Sequence, residues 1–86
     1  MSHGTKIVRE RIGYLHQSLN NLVAQVGSTA PETLFEQAYN LNQEHVDIGH
    51  IVSNLRELEP NELQDLMQIG TNILAFLNQL YQPPSY

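Results

Sequence analysis

VRERIGYLHQSLNNLVAQVG, residues 8–27, decides the fold. Its apolar residues Val8, Ile12, Leu15, Leu19, Leu22 and Val26 recur at alternating steps of four and three. A helix with 3.6 residues per turn brings such positions onto one narrow face, the seam along which helices pack. Gly27 follows directly, where a chain leaving a helix adopts the left-handed conformation that glycine tolerates best. The spacing predicts a first helix over about residues 5–26.

Reading outward, Gly27-Ser28-Thr29-Ala30 is a short connection. Thr29-Ala30-Pro31-Glu32 has the form of a capping box with proline in the first turn. The same steps then return through Leu34, Ala38, Leu41, His45, Ile48, Val52 and Leu55, predicting a second helix over about 30–58. Glu59 precedes Pro60 and is therefore pushed out of the helical region. With Pro60 opening a third helix, Leu58 is placed to close on Leu63 as a hydrophobic staple. The reversal this implies has one rival, a single kinked helix running through both segments. The third helix, over about 60–82, carries Leu63, Leu66, Gly70, Ile73, Leu77 and Leu80 in register and ends before Pro83-Pro84. Nothing alternates with the period of two that a half-buried strand requires.

The expected fold is all-α: an antiparallel up-down-up three-helix bundle with dimerisation left open. It forms one domain over 1–86, with an N-terminal tail at 1–4 and a proline-rich tail at 83–86. Eighty-six residues suit one domain. The apolar content of 41% is enough to build a core.

Composition removes several classes of function. There is no cysteine, hence no disulfide, thiolate metal site or cysteine nucleophile. The start, Met1-Ser2-His3-Gly4-Thr5-Lys6, has no apolar stretch of signal-peptide length. The longest apolar run, Ile73-Leu74-Ala75-Phe76-Leu77, falls far short of the ~20 residues of a membrane span. A cytoplasmic chain with no membrane span is expected. Net charge is −5, and the four basic residues are Lys6, Arg9, Arg11 and Arg56. That is too little positive charge for the stripe a nucleic-acid binder needs, so no nucleic-acid partner is expected.

The third helix is apolar beyond its seam. Met67, Leu74 and Tyr81 repeat every seven residues on one flank, and Ile69 and Phe76 do so on the other. A helix apolar most of the way round favours a central place, and a three-helix bundle has none. Those five residues, with Phe35 and Tyr39 on helix two, form the candidate interface with a protein partner or with a second copy. The plainer reading is that helices one and two cover both flanks. Tyr39 with Val46, and Ile7 with Tyr14, make smaller outer patches.

Two residues interrupt the seams. Gly70 stands where a side chain is expected, leaving room for another helix or a bulky ring such as Phe35. His45 is the polar residue squarely on the helix-two seam. It reads as a core or rim histidine bonded to a side chain across the bundle, or as a pH-sensitive contact, since imidazole titrates near neutrality.

Chemistry is weakly signalled. Glu44, Asp47 and His50 share a face, and Asp47-x-x-His50 has the spacing found in carboxylate-bridged metal sites of bundles. Helix one offers Glu10 and His16 off its seam and helix three only Glu62 and Asp65 near one end, a set that does not converge, so no metal and no cofactor is assigned. A metal- or phosphoryl-handling bundle using His45, Asp47 and His50 is the remote alternative. No serine lies in a nucleophile elbow and no glycine loop is built for phosphate, so no catalytic residue is assigned. Pro83-Pro84-Ser85-Tyr86 fits the pattern that WW domains bind, and equally a helix-terminating tail. The expected function is therefore a non-enzymatic protein–protein interaction module: a small adaptor, chaperone-like or regulatory subunit acting through apolar helix surfaces. A structural self-assembling helical unit is the second reading.

Overall fold

The computed structural model describes residues 3–53 and 58–81, with side chains from Thr5 onward. Three helices fill it: α1 (His3–Ala24), α2 (Pro31–Val52) and α3 (Pro60–Leu80). Five of the six α1 seam residues are buried, Val8, Ile12, Leu15, Leu19 and Leu22. They meet Leu34, Ala38, Leu41, Ile48 and Val52 from α2, and Leu66, Ile69, Ile73 and Phe76 from α3, in one continuous core. Each leucine or isoleucine so buried contributes roughly 1.5–3 kcal/mol relative to an exposed one.

Contacts between helices fix the topology. Arg9 reaches Glu62 and His16 reaches Asp65, so α1 and α3 run the same way. His45 reaches Leu66, while Phe35, ten residues earlier, lies beside Leu74 and Tyr81. The third helix therefore runs opposite to α2, and the bundle is up-down-up. A single kinked helix cannot place those residues side by side.

The helix ends depart from expectation at instructive places. The first helix stops at Ala24, and the Gln25 carbonyl then accepts hydrogen bonds from the Ser28 and Thr29 amides, both at 3.0 Å. Gly27 takes φ +92°, the left-handed conformation expected of it. Val26 sits inside this turn and is 58% exposed, so it does not extend the seam. Once the chain leaves helical geometry, sequence spacing no longer fixes where a side chain points. Nor does Thr29 cap α2: the N-cap is Ala30, and the Thr29 hydroxyl instead donates to Gln25 Oε1 at 3.2 Å. The reciprocal carboxylate contact appears at the start of α3, where Glu62 Oε1 accepts the Glu59 amide at 3.0 Å behind Pro60. Leu58 is buried there and Leu63 is 39% exposed, on the rim. Leu55 and the Pro83–Tyr86 tail lie outside the described residues.

Candidate interaction surface

The two flanks of α3 part company in the bundle. Ile69 is 1% exposed and Phe76 6%; both belong to the core. The expectation that they belong to a free interface is corrected. Phe76 lines the α1–α3 groove together with Leu19 and Val23, so α1 covers that flank. On the opposite flank Met67 is 72% exposed, Leu74 55% and Tyr81 60%. Phe35 borders this flank from α2, and with Leu74, Leu77 and Tyr81 it walls an open groove. Thr71 and Asn78 are the polar residues of that groove. Tyr39, one turn beyond Phe35 on α2, is also exposed.

The reason for the difference lies in α2. Residues 38, 42, 45 and 49 share one side of a helix, because steps of three and four return to the same face. That side carries His45, which contacts α3. Ala38, two turns earlier on that side, is buried and short. Its methyl group cannot reach over to Met67 or Leu74. Phe35 reaches α3 beside Leu74, Leu77 and Tyr81, while Tyr39 and Val46 stay exposed on α2.

His45 and Gly70 explain one another. His45 Nε2 lies 2.8 Å from the Leu66 carbonyl oxygen, so this nitrogen carries the proton and donates. The partner is thus backbone rather than a side chain. Leu66 is four residues before Gly70. The ring lies over Gly70, where an added Cβ would stand 2.5 Å from Nε2 and closer still to Cε1. Only glycine leaves that space, and the ring that fills it is His45 rather than Phe35. Two seam irregularities, each unexplained alone, form one interlocking contact.

Polar contacts fix α1 against α3. The Arg9 guanidinium grips the Glu62 carboxylate through two hydrogen bonds, Nη2 to Oε1 at 2.9 Å and Nε to Oε2. The Arg9 side chain, with help from the Glu59 amide, holds the Glu62 carboxyl below its ordinary pKa of 4.5. His16 Nε2 stands 3.0 Å from Asp65 Oδ1 on the surface. Arg11 stacks over Tyr14 with 5.9 Å to the ring centre.

A second groove lies between α1 and α2. Ile7, Val8, Ile48 and Ile51 wall it, with Arg11 and Asp47 at its edge. Ile51 is 51% exposed and off-seam; its distance of forty-four residues from Ile7 hides the pairing in the sequence. Glu44 lies between this groove and the polar cleft beside Tyr14, with its Oε2 shut off from solvent and unpartnered. Asp47 and His50 are exposed on α2. Among the described residues, no three His, Cys, Asp or Glu side chains stand together as metal ligands would. Nor, among them, is any helix long and apolar enough to cross a membrane.

No known protein family, curated protein or solved structure matches the chain.

Proposed function

We propose that this chain is a non-enzymatic protein–protein interaction module, a small adaptor, chaperone-like or regulatory subunit of the cytoplasm. It acts by burying the open flank of α3 against a protein surface. What carries the reading is the row Met67, Leu74 and Tyr81, each more than half exposed on a helix whose other flank is fully used. Water-facing apolar side chains in a row, rather than scattered singly, characterise binding surfaces. Phe35 and Leu77 give the row a groove, the form in which bundles receive a partner helix. The rim of Thr71 and Asn78 supplies hydrogen bonds at the edge without long-range steering.

Cross-linking followed by mass spectrometry tests the proposal, comparing the natural chain with Leu74→Glu. Leu74 is exposed, so the variant folds with unchanged helicity. Proteins cross-linked by the natural chain and lost with Leu74→Glu support the reading. Equal cross-linking by both chains excludes this surface.

A further inference from the structure

We infer that the occupant of the open α3 flank is a second copy of this chain, laid antiparallel with a two-fold axis at Leu74. This rests on the interaction reading above and names its partner. The row is symmetric about its centre: Met67 and Tyr81 stand seven residues either side of Leu74. A two-fold axis at Leu74 sets Met67 of each copy against Tyr81 of the other, a thioether against an aromatic ring.

Charge points the same way. All nine acidic and all four basic side chains of the sequence precede Leu66. A chain of net charge −5 repels its own copy over most surfaces, but not over this one. A partner chosen by opposite charge would need charge here to read, and α3 has none beyond Asp65. The rim is also self-complementary. The Asn78 amide is donor and acceptor at once, and the Thr71 hydroxyl, which donates to the Met67 carbonyl at 3.2 Å, keeps lone pairs to accept. Two-fold packing brings Thr71 of one copy near Asn78 of the other.

The antiparallel sense follows from the ends of the helix. Parallel packing would set Met67 against Met67 and Tyr81 against Tyr81 and align the two helix dipoles. Antiparallel packing opposes the dipoles.

Sedimentation equilibrium from micromolar to millimolar concentration tests the association. The expected result is a mass rising from that of one 9.8 kDa chain toward twice that value. Leu74→Glu, which sets two carboxylates against each other at the axis, should weaken association about a hundredfold with unchanged helicity. The chain has no cysteine of its own, so single-cysteine variants report orientation cleanly. Leu74→Cys should oxidise to a covalent dimer. The two copies of Met67→Cys lie about 21 Å apart along the axis, beyond disulfide reach, and should not. Met67→Cys cross-linking as readily as Leu74→Cys overturns the antiparallel arrangement. A natural chain that stays single at millimolar concentration overturns the second copy. In that case Leu74-dependent capture of another protein leaves the interaction reading standing, and its absence removes both.

Discussion

Ile69 and Phe76 on one flank of α3, and Met67, Leu74 and, at its C-cap, Tyr81 on the other, share a repeat of seven and an apolar character. One pair is sealed and the other row faces water. The covering helices make the difference. On one side α1 brings Leu19 and Val23 against Phe76. On the other, α2 brings Phe35 beside Leu74 and Tyr81, and Met67 stays uncovered. Burial is decided by what a neighbour presents, and equal hydrophobicity on two flanks does not make them equal.

The sharpest way to break the comparison is to truncate each flank in turn. Phe76→Ala should cost ~3–5 kcal/mol of folding stability, because it removes a buried ring and leaves a cavity. At a concentration where the chain is single, Leu74→Ala should cost no more than ~0.5 kcal/mol, as exposed positions do. Denaturant unfolding followed by circular dichroism measures both. Similar losses at the two positions would mean that the flanks are equally buried.

Next in size is the contact that lets α2 approach α3 so closely. Gly70→Ala should destabilise by ~1–3 kcal/mol through overpacking against the imidazole. This holds although alanine favours a helix by about 1 kcal/mol over glycine. Adding His45→Ala removes the ring and should recover part of that loss, giving a non-zero coupling in a double-mutant cycle. Strict additivity of the two substitutions would show that ring and glycine do not interlock.

The smallest effect concerns the sealed side, where Arg9 and Glu62 tie α1 to α3. The Glu62 carboxyl is held below its ordinary pKa, so the folded state binds fewer protons than the unfolded state in the carboxylate range. Its stabilisation is present above pH 4.5 and is lost as the pH falls through the lowered folded value. Glu62→Gln should therefore lower the melting midpoint near neutrality and flatten its fall on acidification. A variant with the same acid-side slope as the natural chain would remove Glu62 as a contributor.

Spacing is enough to place the three helices, although α2 ends at Val52 and not near 58. Steps of three and four fix which side chains share a face whatever surrounds them, so Val8 through Leu22, Leu34 through Val52, and Leu66 with Ile73 were legible as core. Pro31, Pro60 and Gly27 were legible as punctuation, because their backbone limits are local. Tertiary structure decided everything that depends on a neighbour. It turned Val26 out to solvent, moved the carboxylate contact to Glu59 and Glu62, and paired His45 with Gly70. It also joined Ile7 to Ile51 and sealed Ile69 and Phe76 while leaving Met67, Leu74 and Tyr81 uncovered. Spacing along one chain gives the direction of a side chain about its own axis. It does not give which side chains the helix opposite brings to that face, and that is what separates core from surface here.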